Sequence, residues 1–402
     1  MADMETTTLT TTEAPYEFDS YGQRLFIAFV LVLVFLSGVF GNGLVVVSVL
    51  LSRRLRNVTN IFVVNLAVAD LLACTFLPAT IIALSSPHSW PFESQLFCTS
   101  ASIVIYVTIG VSLYTLASIA VNRCVLITQS VERYQRIYGN KSIVIGIITF
   151  LWAFPAALVL IPFVMGMNEL GYNSKYHSCT DTVSEEQGES AEKVYDLLLA
   201  VGLFPVPTIL LFVSYWKIYS HVLSHAKKLQ ANKEESDALS MSIDSTRPTP
   251  YGEKTYAAGN MSESNSCASL PRTGVSDSET VEGSIKPKRK KRRKKTVKSN
   301  LSRRQVEITK NLFYVLCAFL VCITPYLILL VFNDDGPLAA FAPYAAACLM
   351  INNCINWIIY ATKHPHFKVV FKCILTCKWR EIPEPVGWLR DRGDGNKLCP
   401  CC

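Results

Sequence analysis

Seven apolar stretches alternate along the chain with polar connections, near 24–51, 58–84, 98–127, 142–166, 194–223, 307–332 and 339–361. Each is long enough to cross about 30 Å of hydrocarbon, which takes roughly 20 residues as an α-helix. The pattern predicts an all-α membrane protein, a bundle of seven transmembrane helices. A shorter helix is expected just after the seventh. Phe367, Val370, Phe371 and Ile374 fall at helical spacing with Lys368 and Lys372 between them. Such an amphipathic segment lies on the inner leaflet. Seven is an odd number, and the chain has no internal repeat of the kind that marks many transporters. The first stretch starts too late, runs too long and lacks the basic leader of a cleaved signal peptide. It is expected to stay in the protein as a signal anchor.

Composition supports this picture. Half of the residues are hydrophobic and only 17% are charged, below the roughly 25% of soluble domains. The net charge of +7 sits mostly in one block, Lys286 to Lys295, in which Pro287 alone is not basic. It therefore gives no case for nucleic acid. Charge in the short loops sets the orientation. Arg53, Arg54 and Arg56 follow the first stretch, Arg133, Arg136 and Lys141 the third, and Lys363, Lys368 and Lys372 the seventh. The other side is acidic: Glu13, Glu17 and Asp19, then Asp181, Glu185, Glu186 and Glu189, then Asp334 and Asp335. The N-terminus is placed outside the cell and the C-terminus in the cytosol. The sequons at Asn57, Asn140, Asn260 and Asn300 then face inward, where no glycan is added.

The predicted organisation is an extracellular tail over 1–23, five helices over 24–224, and a disordered cytoplasmic loop over 225–305. Two helices over 306–362 follow, then the amphipathic helix and cytoplasmic tail over 363–402. The loop is rich in Ser, Thr, Glu, Asn and Pro and buries too little apolar area to offset ordering. Its basic block reads either as a solvated marker of the inside or as a contact with anionic headgroups. A nuclear signal fits a seven-span protein poorly.

Fourteen cysteines do not make a disulfide scaffold where most lie in helices or cytosol. Cys98 and Cys179 stand apart on the oxidising side, so a bridge is expected, with two free thiols as the alternative. Cys373 and Cys377 are juxtamembrane candidates for palmitoylation. The ending Cys399-Pro-Cys401-Cys402 is not a CaaX box.

Two of the charges in the apolar stretches draw attention. Arg123 ends the third, in Ser118-Ile-Ala-Val-Asn-Arg-Cys124, and by itself is read as a snorkelling anchor. Asp70 lies near mid-membrane, costing about 2.5–3.5 kcal/mol on insertion scales unless compensated, and is a functional candidate by default.

Motifs in order along the chain then converge. They are Gly41-Asn42, Leu66-Ala-Val-Ala-Asp70, Trp90-Pro-Phe92 before Cys98, Asn122-Arg123-Cys124, Trp152, Pro207 with Tyr215, Cys322-Ile-Thr-Pro325 and Asn356-Trp-Ile-Ile-Tyr360. Over all seven stretches and the short eighth helix, the chain resembles a rhodopsin-like (class A) G-protein-coupled receptor. The run Leu55 to Asp70 and the Asn before Arg123 are similar to the melatonin-receptor and moody-like orphan branch.

The resemblance implies roles. Arg123 would hold the inactive state and then meet the G protein, with Tyr215 and Tyr360 joining it in the active state. Asp70, Ser112, Asn353 and Asn356 would form a sodium pocket, or a polar network without the ion. Heterotrimeric G proteins of the inhibitory class, arrestin and receptor kinases would be partners at the plasma membrane, beside membrane lipids and an extracellular ligand. A ligand shifts such an equilibrium only by its differential affinity for the two states.

Departures from the pattern carry expectations of their own. Asn122 replaces the acid that pairs with the arginine, and Gln305 replaces an acid on helix six, with Glu307 nearby. A weak lock and basal signalling follow, because a neutral hydrogen bond is weaker than an ionic one. Ile323 replaces the helix-six Trp, leaving Phe319 or Tyr326 to fill that role. Trp357 replaces the helix-seven Pro, so that helix should lose its kink.

The ligand is not named by these residues. Ile105, where amine receptors carry Asp, argues against a biogenic amine, and Met350 against a retinal Schiff base. The apolar upper third helix around Ile105 and Tyr106, with Tyr326 as a further pocket candidate, suits a lipid or small neutral molecule, or is ordinary packing. A transporter or channel, the rival class, needs several intramembrane ionisable groups, and Asp70 stands nearly alone. An intramembrane enzyme needs a nucleophile with a base, or a metal motif, and neither is present in the pattern. No cofactor is expected beyond the sodium ion.

Overall fold

A computed structural model describes residues 18, 20–182, 188–244, 313–329, 340–387 and 389. The N-terminal tail, the basic block, Gln305, Glu307, the acidic pair Asp334 and Asp335, and the final cysteines lie outside these residues. So do the inner end of the sixth stretch and most of the long loop.

The chain divides into two units, Met1–His221 with Gln305–Cys402, and Val222–Arg304. In the first unit the spans are α1 (Tyr21–Leu51), α2 (Val58–Ser85), α3 (Leu96–Thr128) and, after the short α4 (Val131–Tyr138), α5 (Lys141–Val164). A hairpin of β1 (Glu169–Asn173) and β2 (Ser178–Thr182) comes next, then α6 (Gly188–Leu203) and α7 (Pro205–Asp244). The described part of the sixth span is α8 (Phe313–Leu329), followed by α9 (Ala342–Lys363) and α10 (Pro365–Leu375). Among the described residues, six helices meet the length and apolarity needed to cross a membrane, with Phe313–Leu329 a shorter apolar helix.

The fifth span is helical on both sides of Phe204 and interrupted at that residue, where Pro205 and Pro207 remove two backbone donors. Beyond it, α7 continues to Asp244, so the expected disordered loop is corrected over 225–244. That stretch is polar but built from strong helix formers (Ala, Lys, Leu, Gln and Glu). Gln230 Nε2 donates to Glu234 Oε1 at 3.2 Å, one turn on.

Starts are capped as local chemistry requires. The side chains of Asn57, Ser130, Asn140 and His364 accept the backbone N–H of Asn60, Arg133, Ser142 and Phe367. Two of the sequon asparagines are therefore helix caps. The buried core includes Leu66, Leu77, Leu113 and Ile119, while Phe26, Phe29, Phe150, Ile161 and Phe212 lie exposed. An apolar outside around a packed inside suits a helix bundle in lipid.

Close approach in the bundle needs small residues. α1 packs on α2 and α9. A Cβ at Gly38 would fall on Cys74, and one at Gly41 on the indole of Trp357. Trp357 donates from Nε1 to Ser37 Oγ at 3.2 Å and meets Phe40 edge-on at 6.0 Å. The residue that replaces the usual proline thus sits in a glycine notch of α1, and α9 is helical without interruption.

On the inner side the chain turns back after α10. Ser52 forms an antiparallel bridge with Pro385, Arg53 N donates to Glu384 O at 2.9 Å, and Val386 N to Leu51 O at 3.1 Å. On the outer side Phe18 N donates to Lys175 O at 2.9 Å, and its ring meets Tyr344 edge-on at 6.0 Å.

Candidate functional site

Asp70, fully buried on α2, is the centre of the mid-membrane site. Its Oδ2 accepts from Asn356 Nδ2 at 2.8 Å and its Oδ1 from Ser112 Oγ at 3.3 Å. These bonds tie α2 to α3 and α9 and compensate the carboxylate. Asn353 joins from the side. Its carbonyl accepts from Asn42 Nδ2 at 2.8 Å, while its amide reaches Met350 Sδ at 3.9 Å. Of the expected quartet, Ser112 and Asn356 bond Asp70 directly, while the bonds of Asn353 go to Asn42 and Met350. Asn356 Oδ1 is buried and has no hydrogen-bond partner among the described residues. That spare oxygen, with the Asp70 carboxylate and the Ser112 hydroxyl, is a hard-oxygen set that fits a small hard cation.

A second relay was not foreseen from the sequence. Trp152 Nε1 donates to Asn65 Oδ1 at 2.9 Å, and Asn65 Nδ2 donates to Thr115 Oγ1 at 2.8 Å. It joins α5, α2 and α3. A lone Asn in an apolar run was its only signal.

Arg123 and Asn122 are both buried near the C-terminal end of α3, opposite the disulfide end. Asn122 Oδ1 accepts from Thr59 Oγ1 at 2.7 Å, and its Nδ2 donates to the Tyr134 hydroxyl at 3.4 Å. The residue that replaces the usual acid thus fastens α2 and α4 to α3. Tyr138 packs beside Tyr134 with centroids 5.2 Å apart, and burial pushes its hydroxyl up to about 12. Tyr215 on α7 meets Phe313 of α8 edge-on at 5.4 Å. Tyr360 is 2% exposed and stacks on Phe367 at 5.6 Å, and its hydroxyl has no hydrogen-bond partner among the described residues.

His364 joins α9 to α10 and is 4% exposed. Burial first, then the neighbouring His366 and Arg123, lower its pKa to about 3. It stays neutral as the cap of α10. Cys373 is buried against this hinge and Cys377 is exposed, so the two acylation candidates differ in access.

On the outside a disulfide joins Cys98 to Cys179, with Cα atoms 5.2 Å apart. It holds the hairpin over a cavity of about 240 Å³. Glu169 pairs with Thr182 and Tyr172 with Cys179 across the strands. Ile105, Tyr106, Tyr326 and Met350, all singled out in the sequence, line this cavity. Ile323 and Phe319 are buried in the core of α8.

A bridged outer hairpin, a buried carboxylate at mid-membrane and a buried arginine at the inner lip define one architecture. The model of the seven-transmembrane receptors of the rhodopsin family matches residues 41–360. The chain belongs to that family.

The Drosophila melanogaster G-protein coupled receptor moody is 25% identical over 94% of this chain and 56% of its own. Melatonin receptor type 1A of Phodopus sungorus is 28% identical over 52% of this chain and 56% of its own. The receptor thus spans little more than half the length of these curated relatives. Squid rhodopsin shares its fold, with a TM-score of 0.62 and 17% identity over 95% of this chain and 93% of that one. Moody and the melatonin receptors are among the relatives it is similar to, the branch that its Asn122-Arg123 and α2 motifs resemble. Membership makes it a multi-pass membrane protein of a signalling family, and neither a transporter, nor a channel, nor an enzyme is favoured.

Arg24 went unremarked in the sequence. It is 3% exposed and donates to the carbonyls of Ser86 at 3.3 Å and Pro87 at 3.2 Å. A guanidinium on the carbonyls of the C-cap Ser86 and of Pro87, just past α2, offsets the negative end of that helix.

Proposed function

We propose that this receptor transmits the binding of an extracellular ligand to a heterotrimeric G protein, with appreciable basal activity. The observation that carries this is the cytoplasmic lip, where Arg123 is buried and its neighbour Asn122 is engaged by Thr59 and Tyr134. No carboxylate adjoins the arginine in sequence, so an ionic hold from that position is missing. Ligand binding above and G-protein binding below bias one equilibrium, with coupling typically about 1–3 kcal/mol. Tyr360, whose hydroxyl is unsatisfied, and Tyr215 are the groups that gain partners on activation. A sodium ion at Asp70, Ser112, Asn353 and Asn356 would add a positive charge against the carboxylate and favour the inactive packing.

The orientation is N-terminus outside and C-terminus in the cytosol of the plasma membrane, from the loop charges. The G protein is of the inhibitory class, by likeness to the melatonin branch, with arrestin and receptor kinases as later partners. Ile105 leaves the third helix without the carboxylate that holds an amine, which favours a lipid or small neutral ligand.

The test is G-protein activation in cells without added ligand, wild type beside Arg123→Ala at equal surface expression. A basal signal that vanishes in the variant supports the reading. A signal no higher than in untransfected cells counts against basal coupling.

A further inference from the structure

The outer cavity has one polar corner. Asp181 on β2 accepts two hydroxyls on the same oxygen, Tyr106 to Oδ1 at 2.6 Å and Thr180 to Oδ1 at 2.6 Å. The Tyr106 and Thr180 hydroxyls also lie 2.8 Å apart. Oδ2 takes no hydrogen bond among the described residues, and the side chain is only half buried. Asn173 Nδ2 donates to the Asp181 carbonyl at 2.7 Å, which fixes the residue on the hairpin.

The rest of the wall is apolar, with Ile27, Leu31, Leu77, Leu84 and Leu349 opposite. No Lys, Arg or His lines the cavity among the described residues. Thr80 also lines it, and its buried hydroxyl has no partner among the described residues. The volume, about 240 Å³, is just under the range of roughly 300–1,000 Å³ common for small-molecule sites.

These features restrict the ligand. A carboxylate or phosphate head would meet the Asp181 charge with no cation on the wall to offset it. A donor head would satisfy the free oxygen and strengthen as the cavity closes over it, since the surroundings are apolar. The apolar body would fill the side lined by leucines.

We propose that the cavity takes a small apolar-bodied ligand whose polar end donates a hydrogen bond to Asp181, and that it rejects anionic heads. This rests on the cavity being the ligand site of the proposed receptor. It revises the class set by Ile105 and readmits an amine beside neutral ligands, because the carboxylate absent from that position is supplied by β2, held by the next residue on α3, Tyr106. The donor is either a protonated amine or a neutral hydroxyl, and the test separates them.

The experiment measures thermal stabilisation of the purified full-length receptor by three alkyl compounds of matched length, a primary amine, an alcohol and a carboxylate. It is run on wild type and on Asp181→Asn. The asparagine can still accept from Tyr106 and Thr180, so the hairpin is kept. Wild type should favour amine or alcohol over carboxylate by about tenfold or more in affinity, the size of a charge-assisted bond. Asp181→Asn should abolish that preference. If the amine alone binds, the head is cationic; if both bind alike, it is a neutral donor. Tyr106→Phe frees the carboxylate of one donor and should sharpen the preference, which a merely structural tyrosine would not do. Equal or better binding of the carboxylate, an unchanged preference in Asp181→Asn, or no stabilisation by any of the three overturns the proposal. The readout needs no G protein, so loss of basal coupling in cells and loss of head-group preference fail separately.

Discussion

The two ends of the bundle are built differently. The outer end is pinned by a covalent bridge between Cys98 and Cys179, by a strand pair, and by Arg24 on the end of α2. The hydrogen bonds of Asn122 at the inner lip are neutral, one of them long at 3.4 Å, and the buried Tyr360 hydroxyl has no hydrogen-bond partner among the described residues. A fixed outer end keeps the cavity in one shape. Where Asn122 holds the inner lip, the bonds are neutral and easier to exchange, as a two-state signal requires.

If this contrast is right, damage to the outer end should appear as lost stability. Cys98→Ala should have the largest effect. The bridge closes a separation of 81 residues, and chain entropy alone gives about 4 kcal/mol for such a loop. Surface expression and thermal stability should both collapse. Near-normal stability would mean that the hairpin holds itself. Arg24→Ala should come next, at about 1–3 kcal/mol, because two carbonyls lose a charged donor. Arg24→Lys should recover part of this in a melting experiment. A full recovery would show that charge at the helix end matters and the fork geometry does not.

Legibility follows the same division. The spans were readable because roughly 20 apolar residues leave little choice of structure. Asp70 was readable as a carboxylate in an apolar run, while Ser112, Asn356 and the role of the inner-end motif came from the family resemblance. What the pattern hid depends on other parts of the chain. Val131–Tyr138 is two turns long, with Tyr134 and Tyr138 one turn apart. Five-residue strands without an Asn-Gly turn give no hairpin signal, and the hairpin instead turns through His177 at a positive φ of 47°. Asp181 looked like one of several outer acids until β2 carried it to Tyr106. The notch between Gly41 and Trp357 joins residues far apart in sequence. The extension of α7 was missed because polarity was read as disorder, although the residues favour helix.

The inner end should respond in signalling before stability. Asn122→Asp places a carboxylate beside Arg123, and the Thr59 and Tyr134 hydroxyls can both donate to it. The inactive state gains a charge-assisted hold, so basal G-protein activation should fall by about three- to tenfold. Thr59→Val should move it the other way by freeing Asn122. The measurement is ligand-free signalling at matched surface expression. A rise in Asn122→Asp would break the comparison, since the inner end would then not be limited by a weak hold.

The smallest effect should come from pH at the hinge. His364 titrates at about 3 in the folded protein against an ordinary 6.5, so it is neutral when folded at neutral pH and must stay so in the acid range. Below about 6.5 the undocked hinge binds a proton that the docked one does not. Stability of the docked α10 is therefore complete above that pH and falls as pH drops towards 3, by about 1.4 kcal/mol for each unit. At pH 5.5, one unit below, the loss should be about 1.4 kcal/mol. Labelling of the buried Cys373 in the purified receptor reports the undocking, with the exposed Cys377 as the internal reference. His364→Asn keeps a capping acceptor and removes the titration, so labelling should become flat between pH 7 and 5.5. If wild type is already flat, α10 is held by Phe367, Val370 and Phe371 alone, and the inner end is stiffer at its hinge than at its lip.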